Sequence, residues 1–273
     1  MIRFFRFGVR LLALGFVILV SVADYCVSVC LRSGDGAFRS RLAWMQRSSR
    51  RFLRALNIHV TSGGVPPHRG LIVCNHLGYL DIVVMGAVAP MVFVSKSEVR
   101  AWPVFGWMSC RAGTLYVDRA RRLDVERVTG EITRTLGKGV VVTLFPEGTS
   151  TGGREVLPFR SSLLEPAASH RWPVAPACVA YNVPGGSAET DACYWGNMDF
   201  VRHLGNLMAV KIIHASVVFG SPIEKDLGRK QLAASLHSEV VRLKNAIDPG
   251  TGTIPQMRRA RPWKTSPANH ICN

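Results

Sequence analysis

Leu71-Ile72-Val73-Cys74-Asn75-His76-Leu77-Gly78-Tyr79-Leu80-Asp81-Ile82-Val83-Val84-Met85 is the stretch on which the fold turns. Leu71 to Cys74 has the length and composition of a buried strand, and a second apolar run opens at Ile82. Between them lie a His and an Asp, at the point where a strand gives way to a helix. Were both in one regular helix, five steps would set them about 140° apart around the axis, and they would not meet. They meet if His76 lies in the turn and Asp81 in the first helical turn. Asp81 then accepts one imidazole N–H, and the other nitrogen is free to take a substrate proton. A His-Asp pair at this spacing also serves purely structural ends, so the rest of the chain has to decide.

Outward from this point, apolar runs alternate with helical patterns. The runs at 71–74, 91–94, 114–117, 140–145, 174–181 and 211–219 read as strands. The stretches at about 79–89, 97–109, 121–136, 160–169 and 226–246 read as helices. Such alternation predicts an α/β fold with a mixed, largely buried central sheet flanked by helices. Gly63-Gly64-Val65-Pro66-Pro67 is a turn cluster, and Asp248-Pro249-Gly250 closes the last helix. The organisation expected is an N-terminal segment (1–62), one catalytic domain (63–248), and a basic, poorly ordered tail (249–273).

The N-terminal segment reads as a membrane-associated helical pair. Leu11 to Leu31 is almost wholly apolar and about as long as a spanning helix needs to be. Arg3, Arg6 and Arg10 precede it and Arg32 follows; no small-residue cleavage site ends the run, which argues against a secretory signal. Asp24 interrupts it, so that acid is expected near an interface, against another helix, or protonated. Next, Phe38, Leu42, Met45, Phe52, Leu53 and Leu56 recur at steps that fit one helix face, with Arg39, Arg41, Arg47, Arg50, Arg51 and Arg54 among them. A basic amphipathic helix of this type suits anionic headgroups. Arginines following the anchor point the catalytic domain to the cytoplasmic side of an inner or other cell membrane. Spanning and shallow insertion both remain open.

Composition agrees. The 273 residues carry 34 Lys and Arg against 18 Asp and Glu, a formal charge of +16, which suits a polyanionic partner. With 48% hydrophobic residues and no zinc-finger spacing, Walker loop or dinucleotide fingerprint, anionic membrane lipid is the expected partner rather than nucleic acid. The seven cysteines include no C-x-x-C pair, and the eight histidines no H-E-x-x-H pair. Neither a disulfide framework nor a metal site is expected.

A second motif, Phe145-Pro146-Glu147-Gly148-Thr149-Ser150, follows the apolar run Val140 to Leu144. With Asn75–Asp81, Gly113-Thr114-Leu115-Tyr116-Val117-Asp118-Arg119 and Trp172-Pro173-Val174-Ala175-Pro176, it completes four blocks. In this order, over Leu71 to Phe219, they resemble the glycerolipid (lysophospholipid) acyltransferase family. The resemblance implies transfer of a fatty acyl group from acyl-CoA or acyl-carrier protein, a co-substrate rather than a bound cofactor, to the free hydroxyl of a lysolipid. It implies His76 as general base, oriented by Asp81, with no covalent acyl-enzyme. Arg119 matches the family's phosphate-contacting Arg, whose planar fork suits phosphate; Lys96, at another strand end, is a further cation. Glu147, Gly148 and Thr149 are expected to shape the acceptor pocket, and turns at Asn75 and Gly148 offer N–H groups for the oxyanion.

Two residues depart from the family pattern. Gly78 stands where Ser is frequent, and Ser150 where Arg is frequent. The acceptor implied first is 1-acyl-sn-glycerol-3-phosphate, giving phosphatidate. Loss of an Arg beside the phosphate opens an aminolipid alternative, lyso-ornithine lipid. Arg154 or Arg160 could supply charge instead. A remote alternative is a serine hydrolase, because Gly148-Thr149-Ser150-Thr151-Gly152 fits G-x-S-x-G. That motif needs an immediate helix, whereas Gly153-Arg154-Glu155-Val156-Leu157-Pro158 reads as a loop.

Overall fold

The computed structural model describes residues 2–118, 120–223, 226–247 and 254. Helix α1 (Ile2–Tyr25) continues through a π-helical turn, Cys26–Cys30, and leads into α2 (Gly34–Leu56). There follow β1 (Ile58–Gly63), β2 (Gly70–Cys74), α3 (Leu80–Val88), β3 (Val92–Lys96), α4 (Phe105–Ala112), β4 (Leu115–Val117), α5 (Arg122–Gly137) and β5 (Val141–Leu144). After these come α6 (Glu165–Ser169), β6 (Val174–Asn182), α7 (Ala188–Asp191), α8 (Phe200–Ala209), β7 (Ile213–Phe219) and α9 (Arg229–Ala246).

The strands form one sheet in the order β1-β7-β6-β2-β5-β3-β4. Every neighbouring pair is parallel except β6 with β7. The sheet is therefore mixed, as expected. Successive side chains of a strand point to opposite faces, and here both faces are covered. Ile72 and Cys74 join a core with Met85 and Phe93, under α2, α3 and α8. Leu71 and Val73 join a second core with Val128, Ile132 and Leu136 of α5 and Leu232 and Leu236 of α9. All five residues of β2 are buried, which is why its sequence is an apolar run rather than an alternation.

Strands β2, β3, β4, β5 and β6 run the same way, so their carboxyl ends share one edge of the sheet. The segments after Cys74, Lys96 and Leu144 open there, and a crevice at the carboxyl ends of parallel strands is where α/β sheets place ligands.

Some elements differ from the sequence reading. Strand β1 begins within the N-terminal segment read as 1–62, ends one residue beyond it, and pairs with β7 along its whole length. The stretch read as one helix over 97–109 is a 3₁₀ turn, Ser97–Ala101, then α4, broken at Trp102–Val104. Pro103 has no N–H to continue a helix, and Val104 has a positive φ of 60°. The stretch 160–169 is likewise a 3₁₀ turn, Ser162–Leu164, followed by the short α6. The Asp248–Gly250 stop and the tail, apart from Ile254, lie outside the described residues.

Candidate active site

The turn after β2 is fixed from several sides. Asn75 is buried, and its side chain bonds both backbone atoms of Val179: Nδ2 donates to the carbonyl at 3.0 Å and Oδ1 accepts the N–H at 2.8 Å. This couples β2 to β6. The carbonyl of His76 accepts from Thr151 N at 2.9 Å, and that of Leu77 from Tyr194 N at 2.8 Å. Gly78 has φ +149°, and a Cβ there would meet Tyr194 N at 2.8 Å. The Gly in place of the family's frequent Ser is thus demanded by the backbone.

Asp81 opens α3 with a fully buried carboxylate. Its Oδ2 accepts from His76 Nδ1 at 2.8 Å, Leu77 N at 2.7 Å and Gly78 N at 3.0 Å; its Oδ1 accepts from Tyr181 OH at 2.7 Å. Four donors converge on one carboxylate, and because its Oδ2 acts as an acceptor the imidazole proton is assigned to Nδ1. His76 Nε2 is then the basic nitrogen. The ring is stacked on Phe145, centroids 4.4 Å apart, which fixes its plane.

Glu147 is only 3% exposed, and both its oxygens are engaged. Oε1 accepts from His76 N at 2.7 Å and Oε2 from Leu157 N at 2.8 Å. Burial pushes this carboxyl up, against the opposing pull of the two N–H donors. Its role in this geometry is to hold the backbone of His76.

His76 faces a cleft of about 220 Å³ whose walls include Lys96, Trp102, Gly148, Thr149, Ser150 and Trp195. A second cavity of about 70 Å³ adjoins it between α2, α3 and α4, with Met45, Phe52 and Met108 in its wall. Tyr79, Ile82, Val99 and Trp102 line both, so a polar reaction centre sits at the mouth of an apolar recess. A larger cavity, about 750 Å³, lies behind the turn against Asn75, Tyr181, Arg154 and Lys244; His76 does not line it.

Of the residues singled out from sequence, His76, Lys96, Gly148 and Thr149 come together at the cleft. Asp81 and Glu147 support it from beneath, and Asn75 braces the strands. Arg119 lies outside the described residues. Ser150 lines the cleft, but β5 is followed by loop from Phe145 to Ser161, with no helix behind the serine to make a nucleophile elbow. Arg154 pairs with Glu189 at 2.8 Å on the far side. Among the described residues, no cluster of three or more His, Cys, Asp or Glu could hold a metal ion. Tyr181 was not anticipated. Its signal was there: alternation along β6 puts Ala177, Val179 and Tyr181 on one face, and a buried tyrosine hydroxyl needs a partner.

The model of the family described as Acyltransferase matches residues 57–180. Lyso-ornithine lipid O-acyltransferase of Pseudomonas aeruginosa is 34% identical over 212 residues, 77% of this chain and 80% of that protein. The 1-acyl-sn-glycerol-3-phosphate acyltransferase of Neisseria meningitidis serogroup B is 36% identical over 141 residues, 50% of this chain and 55% of that one. The crystal structure of the 1-acyl-sn-glycerophosphate (LPA) acyltransferase, PlsC, from Thermotoga maritima matches with a TM-score of 0.68. It covers 90% of this chain and 97% of its own, at 17% identity, a likeness of fold.

Proposed function

This chain belongs to the lysophospholipid-type acyltransferase family, and from that premise we propose that it moves a fatty acyl group from a thioester, acyl-CoA or acyl-carrier protein, directly to a lysolipid hydroxyl, with His76 as general base. The observation that carries this reading is His76 itself: its Nδ1 is tied to a buried carboxylate while its ring lines a cleft that adjoins an apolar recess. The apolar lining of the recess suits part of an acyl chain, and the cleft suits the two reacting groups.

In the reaction, the lysolipid oxygen attacks the thioester carbon as Nε2 takes the hydroxyl proton. The imidazolium is balanced by Asp81. Collapse of the tetrahedral oxyanion breaks the carbon–sulfur bond, and the departing thiolate takes the proton back, leaving an ester and a free thiol. Base catalysis of this kind is worth about 10²–10⁴-fold. The N–H groups of the turn at Gly148–Ser150, which lines the cleft with His76, are candidates for the oxyanion.

For the acceptor, charge decides. A phosphomonoester carries about −1.5 to −2 at neutral pH, whereas an ornithine headgroup offers one carboxylate beside an ammonium. Among the described residues of the cleft wall the one cation is Lys96, and Ser150 stands where the family often has Arg. Ser150 in that position, with the likeness to the Pseudomonas lyso-ornithine lipid O-acyltransferase over 80% of its length, favours lyso-ornithine lipid. A 1-acyl-sn-glycerol-3-phosphate acceptor is the second reading, supported by the Neisseria relative and by Lys96. Offering both acceptors to the purified protein in vesicles, with product read by mass spectrometry, separates them. The ornithine lipid should be acylated about ten- to a hundredfold more efficiently, the worth of one missing charge-assisted contact to phosphate. Faster phosphatidate formation would reverse the order, and inertness towards both would remove the reading.

The membrane arrangement follows from how α1 is tied. Phe4–Cys30 is long and apolar enough to cross a bilayer, and Leu12, Phe16 and Leu19 face outward. Near its start, Arg6 donates to the carbonyl of Ala209 at 2.8 Å, and Arg10 donates to those of Met208, Val210 and Lys211 at the end of α8. Near its finish, Asp24 pairs with Arg47 and Arg51 of α2, each at 2.7 Å. Both ends are thus bound to the same body. This supports a helix lying along an inner or other cell membrane, its apolar face in lipid, with the catalytic domain on the cytoplasmic side. The arginines of α2 would meet anionic headgroups.

A further inference from the structure

We propose that Tyr181 is a positioning residue that sets how tightly the His76–Asp81 pair holds its proton, an inference that rests on the reading of His76 as base. Strands β2 and β6 pair with Cys74 opposite Ala177, and residues at steps of two beyond Ala177 share its face. That register carries the Tyr181 hydroxyl to Asp81 Oδ1 at 2.7 Å, from a position a hundred residues away in sequence. The other carboxylate oxygen is occupied by His76 Nδ1 and two backbone N–H groups. Among the hydrogen bonds described, Tyr181 is therefore the one side chain besides His76 that bonds this carboxylate, and it is built into the central sheet.

The consequence is electrostatic. A hydrogen bond donated to a carboxylate stabilises its charged form and draws density away from the oxygen facing the imidazole. Removing it leaves a buried oxygen unpaired, so Asp81 attracts a proton more strongly, whether on itself or on His76. Both effects have one sign: without the phenol the pair protonates at higher pH, and the free base is lost sooner as pH falls.

Other ionisable groups near the pair do not compete for this role. Burial pushes the thiols of Cys74, Cys178 and Cys193 up, the last two to about 12, so they remain neutral in the working range. Burial and the adjacent Asp81 push the Tyr181 phenol well up, so it stays a donor. Glu147 touches the backbone N–H of His76 rather than its ring. Lys96 and Tyr194 share the cleft with His76 but have no hydrogen bond to the Asp81 carboxylate among those described.

The test is the pH profile of kcat/KM for lysolipid acylation by the full chain in vesicles. It compares wild type, Tyr181→Phe, and protein carrying 3-fluorotyrosine at position 181, whose phenol is a stronger donor. In Tyr181→Phe the acid limb should move up by about one pH unit, the scale of one hydrogen bond to a carboxylate. That shift is about a tenfold loss on the acid side, with the alkaline plateau retained. Fluorotyrosine should move the limb the opposite way. A folded Tyr181→Phe protein with its limb unmoved, or with an even loss at every pH, overturns the inference. Should that variant not fold, an unmoved limb in the fluorotyrosine protein overturns it alone. An acid limb that survives in the residual activity of His76→Ala would instead remove the base reading beneath it.

Discussion

The turn from Asn75 to Asp81 and the helical pair α1–α2 lie close together and are built on opposite rules. In the turn, the Asn75 amide, the Asp81 carboxylate and the imidazole Nδ1 all have partners, and the backbone is locked by Glu147, Thr151 and Tyr194. In the helical pair the hydroxyls of Ser21, Ser48 and Ser49 are buried without a partner, and Phe4, Leu12 and Leu19 are mostly exposed. Polar ties there come mostly from long side chains reaching to backbone carbonyls or to one acid: Arg6 and Arg10 to the end of α8, Trp44 to Ser21, Gln46 and Arg50 to the end of α3, and Arg47 and Arg51 to Asp24. Proton transfer tolerates little misplacement, so the turn is over-determined. A surface whose solvent is lipid needs area and charge pattern rather than a fixed set of partners.

The contrast predicts where substitution hurts most. His76→Ala should cut acyl transfer by about 10²–10⁴-fold while co-sedimentation with anionic vesicles is unchanged. Asp81→Asn should lie just above it, with a small residual rate, because the ring remains but loses its orientation and charge balance. Wild-type turnover in both would break the comparison at its strong end.

Glu147→Gln should come next. One oxygen that accepts a backbone N–H becomes an N–H₂ group facing a donor, and a buried unsatisfied pair costs about 1–3 kcal/mol. A lower melting temperature and a partial loss of transfer are expected. The pH dependence gives a second check. Burial raises the Glu147 carboxyl in the folded protein, so the folded form holds that proton more tightly than the unfolded chain. The stability this supplies is present below the unfolded carboxyl range and is lost as pH rises through the raised value. Thermal melts of the Gln variant should lack that loss; an identical slope would show that Glu147 does not titrate there.

The helical pair can be tested without touching the chemistry. Single thiols introduced by Ile2→Cys and Ser33→Cys, in chains whose other exposed cysteines are removed, should both react with an impermeant reagent from the same side of sealed vesicles. Reaction from opposite sides would make α1 a span. The smallest effect is expected for Ser150→Ala, which should keep most activity, and a fluorophosphonate probe should leave the wild-type protein unlabelled.

Much of this was legible because it is local. β2 and β5 are short apolar runs bounded by turns, and His76 and Asp81 are five residues apart. β1 was not, since an edge strand paired on one side needs no apolar run: His59, Thr61 and Ser62 lie on it. Helix α8 was missed because its ten residues lie between two strands in a stretch rich in turn formers. Glu147 was read from its motif as shaping the acceptor pocket, whereas the fold gives both its oxygens to backbone N–H groups, of His76 after β2 and of Leu157 in the loop after β5. For Tyr181 the alternation along β6 signalled a buried face, but its partner was not legible: only the pairing of β6 with β2 brings it to Asp81.

The most direct measurement is a single turnover followed by intact-protein mass spectrometry. Enzyme in vesicles is mixed with acyl-CoA or acyl-carrier protein, first alone and then with lyso-ornithine lipid or lysophosphatidate. Direct transfer through His76 predicts no acyl adduct and no stoichiometric thiol release from donor alone. Thiol and acylated lipid should then appear together once acceptor is added, and neither at a comparable rate in His76→Ala. An acyl adduct on Ser150 or a cysteine that forms before acceptor is present, and is then passed to lipid, would contradict it.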